Sequence, residues 1–523
     1  MKNFPIQHVF AIIFAILITS CDSEKLVDIN RNPNTMNEIN PNYTFTGAQL
    51  GMPNNNVNLG QGMQFLAIYR DIQDVGGKQY SYLPSYGFGT YTGQLNRIKQ
   101  CMNALAPTDV NKIALCKILR VYAYHVMTDA MGDVAYSDAE KGLEGNYMPK
   151  YDTQQNIYNG MFKELEEAAT SLDASKPTFG GADIFYNGDV VKWKKFAYTL
   201  MLRLAMRLSN KDAVTAKTWA QKAIAGGLMT ADSDMALIKY SAASPNPRAP
   251  YAEYFNTQDG DGAQGYKLAS TFVNHLKKTK DPRIGVLLTV WKPVPGSSPK
   301  VYNPDTTSAA QAGMVPGGVF GKPSDFDTFS EPSPIWWNQS SPLLILGPAE
   351  AYLLLAEAIA RGWHSGSEAE AYNLGVTRAM TQWLQWPNVP TIAPNNNSIS
   401  ASKITAYLNF NPYPTTGTFA QRLESISVQK WVSLMGDDYE VWSNWRRTGY
   451  PVMSWKNWLI NGVPSAYPGS VTGGQMFRRM PYPDERLTNH ENQQEALTRQ
   501  GFPLDVTGPP NDNLLGRVWW DKP

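Results

Sequence analysis

Few residues in this 523-residue chain stand in patterns that could do chemistry, and most of those patterns are incomplete. His490-Glu491 opens like a zinc-protease helix, but Gln494 occupies the place of the second histidine in H-E-x-x-H. No G-x-S-x-G strand-to-helix elbow is present. Gly321-Lys322 resembles the end of a phosphate loop, yet Pro316 stands at the first glycine and Pro323 replaces the Ser or Thr. Asp259-Gly260-Asp261-Gly262 opens like a calcium loop, but Ser270 holds the twelfth position, where a bidentate acid is needed; a turn is the expectation. Asp437-Asp438 could serve a glycosidase, whose two carboxylates flank the scissile bond. They stand just ahead of a helical pattern, however, where acids favour the macrodipole. The sequence thus points to no catalytic residue, no metal and no cofactor.

Aromatic side chains are the remaining candidates. The chain has 15 Trp and 27 Tyr, more than a core alone normally requires. Sugars present apolar C–H faces that stack on such rings, and their hydroxyls seek Asn, Asp, Gln or Arg. Tyr80, Tyr82, Tyr86 and Tyr91 form one cluster, and Trp336, Trp337, Asn338 and Gln339 form another. These eight are the candidate ligand contacts, with packing beneath a loop as the alternative for each ring. If Trp336 and Trp337 lie in an extended segment they face opposite ways, one anchoring the loop and the other offering its ring.

The elements that must position them read as helices. Ile113, Leu119, Val121, Tyr122 and Val126 belong to a long helix after Pro107. Asp152 with Gln155 makes a capping-box-like start, followed by Ile157, Met161, Leu165, Ala168 and Leu172 on one face. Trp193, Phe196, Leu200, Leu204 and Leu208 keep helical spacing, with Lys194, Lys195 and Arg203 outside that stripe. A partner from Ala213 to Ile224 stops at Gly226-Gly227. Pro348 opens a helix ended by Gly362, Ser367 and Glu370 cap the next, and Leu423 to Leu434 forms another before Gly436. The fold class is mainly α: tetratricopeptide-like helix pairs in a single domain. Long ordered loops, Ser241–Gly265, Pro293–Pro342 and Trp386–Pro414, interrupt it, chiefly in the second half, and carry Trp291, Trp336, Trp337 and Trp386.

Charge is balanced, 46 basic against 45 acidic residues, so there is no electrostatic footprint for nucleic acid. The apolar run Val9–Ile18 is too short for a ~30 Å hydrocarbon core and reads as a secretory leader over residues 1–20. Ile18-Thr19-Ser20-Cys21 has the order of a bacterial lipobox, making Cys21 the expected lipid attachment site. Residues 21–523 are the expected binding domain, with a polar tether over 21–41. Cys101 and Cys116 fall near the facing ends of neighbouring helices, and a disulfide or two buried thiols both fit.

The run His125-Val126-Met127-Thr128-Asp129-Ala130-Met131-Gly132-Asp133-Val134-Ala135-Tyr136-Ser137-Asp138-Ala139 resembles the T-D-x-x-G-D-x-P-Y-S-x-A signature of SusD/RagB-like outer-membrane lipoproteins of Bacteroidetes, with Ala135 where Pro is common. Pro149-Lys150-Tyr151-Asp152, Asp281-Pro282-Arg283, Ala356-Glu357-Ala358, Gln429-Lys430-Trp431, Trp445-Arg446-Arg447-Thr448-Gly449-Tyr450-Pro451 and Arg479-Met480-Pro481-Tyr482-Pro483 resemble further blocks in the same order. The resemblance implies a helical outer-membrane lipoprotein that caps a SusC-like TonB-dependent barrel. It also implies capture of oligosaccharide, or in some members peptide, for import. A glycosidase and a purely structural lipoprotein are the competing classes. Asp129, Gly132, Asp133, Arg203 and Arg207 are expected to be structural, with carboxylate–guanidinium pairs tying helix hairpins together.

Overall fold

Helix forms here along apolar stripes, several of them started by a capping side chain such as Thr153, Asp189, Ser367 or Thr418. The computed structural model describes residues 39–52, 56–68, 89–241, 266–297, 302–316, 328–387, 398–453, 459–460, 463–464, 476–483, 489–502 and 514–521. The expected leader, Cys21 and most of the tether lie outside these described residues. α1 (Pro41–Leu50) and α2 (Val57–Gly62) precede β1 (Leu66–Ile68), and α3 (Asn96–Asn103) continues a π-helical turn at Tyr91–Leu95. The first helical block is α4 (Val110–Met131), α5 (Gln154–Ser171), α6 (Val190–Arg207) and α7 (Ala213–Gly226).

A strand-rich middle follows: β2 (Ala236–Ile238), β3 (Tyr266–Leu268), α8 (Ser270–Lys278), α9 (Ile284–Leu287), β4 (Leu288–Pro293), β5 (Tyr302–Asp305), β6 (Glu331–Pro332), α10 (Pro334–Trp337) and β7 (Leu343–Leu346). The second block is α11 (Pro348–Ala360), α12 (Glu368–Thr381), α13 (Ala401–Phe410), α14 (Phe419–Ser433) and α15 (Asp438–Thr448). β8 (Leu459–Ile460), β9 (Val463–Pro464) and α16 (His490–Gln500) close the described chain.

Consecutive helices pack as hairpins, α4 on α5, α6 on α7 and α11 on α12, and α14 lies against α11. This is the tetratricopeptide-like pairing expected. Ile157, Met161, Leu165 and Ala168 of α5 and Trp193, Phe196, Leu200 and Leu204 of α6 are buried, each large side chain contributing roughly 1.5–3 kcal/mol. α4 is buried nearly all round from Ala114 to Met131, as befits a helix enclosed by neighbours.

The caps follow the sequence with one correction. α5 is capped by Thr153, whose side chain accepts from the Asn156 amide, rather than by Asp152. The Asp152 carboxylate instead accepts from the amides of Tyr136 and Ser137 at 3.0 and 2.8 Å, holding the signature loop. Ser367 accepts from the Glu370 amide, and Asp437 caps α15 through the Glu440 amide.

Two further expectations change. Arg203, read as lying outside the apolar stripe, is 2% exposed, because that side of α6 meets the second helical block instead of solvent. The Trp386–Pro414 segment is not wholly loop: Ser400 caps α13, which buries only Ile404 and Tyr407, too short a stripe to stand out in the sequence. Short antiparallel ladders tie the middle segments to the body. β1 pairs β3, β2 pairs β7, and β4 lies between β5 and β6. Cys101 and Cys116 are buried free thiols with their sulfurs 3.6 Å apart.

Candidate functional site

Tyr80, Tyr82 and Tyr86 lie outside the described residues. Tyr91, at the start of the π-helical turn, donates its hydroxyl to the Ala135 carbonyl at 2.5 Å and meets Tyr124 edge to face, 6.2 Å between ring centres. Its visible work is to hold the signature loop.

The Trp336–Trp337 pair is not extended. Ser333 caps a single helical turn, α10, so the backbone of the pair is helical, and of the two side chains only that of Trp336 is among those described. Trp336 is buried, and its Nε1 donates to the Met435 carbonyl at 3.4 Å. It is wedged against Gly436, whose φ of +99° admits no side chain easily and where a Cβ would stand 3.2 Å from the indole nitrogen. Trp336, Trp383 and Trp386 border a crevice of about 20 Å³, room for a water and not for a sugar ring. Asn338 turns its carbonyl oxygen to the Ser340 amide and hydroxyl at 3.0 and 2.8 Å, closing the turn after α10. Gln339 is half-buried beside it. Tyr91 and Trp336 thus pack in different places, one on α4 and the other on the α14–α15 junction.

The signature residues bolt distant segments together. Gly132 ends α4 at φ +92°, and a Cβ there would stand 1.9 Å from the Gln500 side-chain oxygen. Asp133 accepts from the Gln154 amide at 2.8 Å and from Arg499 of α16 at 2.8 Å. Asp129 accepts from Arg207 at 3.1 Å, from Tyr158 at 2.5 Å and from the Trp520 indole at 2.8 Å.

Behind them runs a buried chain of charge. Arg207 also pairs with Glu440, which accepts from Lys430 at 3.1 Å; Lys430 reaches Glu350 at 3.2 Å, and Glu350 pairs with Arg203. Burial works to raise the Glu440 pKa, but Arg207, Lys430 and Arg203 outweigh it and hold the carboxyl well below its ordinary value. Burial pushes Asp437 well up, against the pull of Arg203. Asp437 is 3% exposed and Asp438 2%, so neither carboxylate flanks an open cleft of the kind a glycosidase needs. Asp437 caps α15 and lies 3.5 Å from Arg203, whereas Asp438 accepts from the Asn56 amide. No group of three or more His, Cys, Asp or Glu able to hold a metal occurs among the described residues.

Two open grooves flank the middle segment. One, of about 610 Å³, runs between the end of α8, the start of α9 and one face of α13. The other, of about 430 Å³, follows the β4–β5 hairpin, and Thr306 borders both. Of the candidates whose side chains are described, Tyr91, Trp336, Asn338 and Gln339, none lines either one. Sequence reading missed the larger groove because its walls come from α13, hidden in an apparent loop, and from lysines that looked like ordinary surface charge.

The SusD-like family described as starch-binding and associating with the outer membrane matches residues 33–483. A solved chitin-binding protein is 29% identical, with 92% of this chain and 100% of that one covered and a TM-score of 0.71. A SusD homologue from Bacteroides fragilis shares the fold at 24% identity over 92% and 100% of the two chains, TM-score 0.75. So does a chitin-binding SusD homologue from Flavobacterium johnsoniae, at 24% identity over 92% and 97%, TM-score 0.71. No curated protein matches the chain.

Proposed function

From the premise that the chain belongs to the SusD-like family, we propose that it is a cell-surface lipoprotein that binds oligosaccharide and delivers it to a SusC-like TonB-dependent outer-membrane transporter. The observation that carries the glycan reading is the chitin-binding relative, 29% identical across 92% of this chain. In this reading residues 1–20 are a leader, Cys21 carries the lipid, residues 21–41 are the tether and the rest is one binding domain. No described helix is long and apolar enough to cross a membrane, which leaves Cys21 as the proposed attachment.

Binding rather than catalysis also suits the buried acids, whose carboxylates are engaged in pairs and caps. Tyr80, Tyr82, Tyr86 and Trp337 remain the proposed ring contacts, whereas Tyr91, Trp336 and Asn338 are engaged by Ala135, Met435 and Ser340. The test is a purified, soluble form of the protein on arrays of glycans and peptides. Glycan binding alone supports the proposal; binding to peptides alone would replace its ligand class, and silence on both would favour a structural lipoprotein. Co-purification with the barrel from outer membranes tests delivery, and loss of that association in detergent at low salt would count against it.

A further inference from the structure

The larger groove carries a charge that neither the family nor its relatives' ligands account for. α13 presents Lys403, Ala406, Tyr407 and Phe410 to it, positions spaced three and four apart and so on one helical stripe. Facing that stripe, Lys277 and Lys280 project from the last turn of α8 and the residues just beyond it. Lys280 sits with its ammonium 4.2 Å from the centre of the Phe410 ring, which fixes the cation at the rim by its π face. Lys277 donates to the Gln311 carbonyl at 2.7 Å, leaving two of its three ammonium donors for another acceptor.

One carboxylate borders the groove, and it is already engaged. Asp281 is buried, and both its oxygens take hydrogen bonds from Arg283, at 2.9 and 3.1 Å from Nε and 2.5 Å from Nη2. Asp305, at the edge of the neighbouring groove, is paired with Lys292. None of Lys277, Lys280 and Lys403 forms an ion pair with another described residue. Three cations therefore converge on one open space with no ion-pair partner among the described residues. Phe410, 51% exposed, adds the apolar surface that a sugar's C–H face seeks.

We infer that this groove is a binding site for acidic oligosaccharides, sugars bearing carboxylate or sulfate groups. The anion meets the lysines while the ring lies on Ala406 and the edge of Phe410. The inference rests on the glycan-binding proposal and narrows it: a neutral sugar gains hydrogen bonds from the lysines but no charge pairing, and an amino sugar bearing free ammonium is repelled. Gly285 supplies a way to close the site. It lines the groove on α9, and a Cβ built there meets nothing within 4 Å. A side chain at this position therefore starts in open space and extends into the groove.

Isothermal titration of the mature protein with oligogalacturonate, a sulfated chondroitin oligosaccharide and chitohexaose separates the possibilities. The expected result is binding of at least one acidic probe that weakens with added salt. It falls about tenfold or more when Lys280→Gln and Lys403→Gln are combined, and is lost in Gly285→Phe, each variant melting as the parent does. Oligogalacturonate bears carboxylate alone and the chondroitin probe bears carboxylate and sulfate, so a desulfated chondroitin titrated beside them identifies which group is recognised. Binding of chitohexaose without either acidic probe overturns the inference and leaves the proposed function standing. Acidic binding unaffected by Gly285→Phe overturns it too, by placing the site elsewhere. Silence on every glycan, charged or neutral, overturns both.

Discussion

Arg203 and Glu350, 147 positions apart, form a bidentate pair sealed from solvent, with Nε to Oε1 at 3.0 Å and Nη2 to Oε2 at 2.5 Å. The pair ties α6 of the first helical block to α11 of the second. Through Lys430, Glu440 and Arg207 it continues to Asp129 in the signature run. Two stacks of helical hairpins are thereby joined by charges as well as by apolar packing.

Removing Arg203 leaves Glu350 buried with only Lys430 beside it, and Asp437 without the guanidinium it faces. Arg203→Ala is expected to lower stability by roughly 3–5 kcal/mol, read as a reduced midpoint in urea unfolding. Glycan affinity of the fraction that remains folded should be unchanged. A variant as stable as the parent that has lost its ligand would assign Arg203 to binding instead.

His125 predicts how the same region responds to acid. Burial, aided by Arg203 and Arg207, depresses its pKa to about 3, although Glu440 opposes this. His275, half-buried, is depressed to about 4 by its desolvation, with Arg283 and Lys278 adding to this and Asp281 opposing it. In the unfolded chain both titrate near 6.5, so below that pH the unfolded state binds protons that the folded state refuses. Stability is therefore complete above about pH 6.5 and falls as pH drops towards 4, by about 1.4 kcal/mol per unit for each histidine. Melting temperature measured between pH 7 and 5 should decline, and His125→Gln should flatten part of that decline. A profile that rises towards pH 5 would contradict the assignment.

The helical frame was legible in the sequence because its signals are local. Ser367 three residues ahead of Glu370, Gly226-Gly227 after the stripe of α7, and Pro348 at the start of α11 all act where they are read. The buried network was only half legible. Asp129, Arg203 and Arg207 stood out as structural, but Glu440, the partner of Arg207, and Glu350, the partner of Arg203, lie on helices of the other block, and no sequence spacing links them. Asp437 illustrates the mixture: its capping role is local, and its approach to Arg203 is not. The aromatics were least legible, since a tryptophan in a Pro- and Gly-rich segment reads the same whether it faces a sugar or, like Trp291 and Trp386, sits in the core.

Trp336 and Trp337 make that distinction measurable. Trp336 fills the space beside Gly436 and bonds to the Met435 carbonyl, so Trp336→Ala should cost roughly 3–5 kcal/mol of stability, seen by calorimetric melting. Trp337→Ala should leave the melting temperature nearly unchanged and weaken glycan binding by about 1 kcal/mol, the scale of one aromatic contact. If both variants lose only stability, α10 is packing alone and the ring contacts lie with Tyr80, Tyr82 and Tyr86.

The anchor is tested at Cys21, which lies outside the described residues. Ile18, Thr19 and Ser20 fit the specificity of lipoprotein processing, and a cysteine thiol is the nucleophile to which the lipid is joined. Several acyl chains on one residue hold a protein to a bilayer, whereas one chain holds it only weakly. Cys21→Ser removes the acceptor and touches no described contact, so the variant should leave the membrane fraction while keeping the parent's melting temperature and glycan affinity. Protease shaving of intact cells should degrade the parent if the tether holds it outside the outer membrane. A Cys21→Ser protein that still sediments with membranes and still incorporates labelled fatty acid would show that the anchor lies elsewhere.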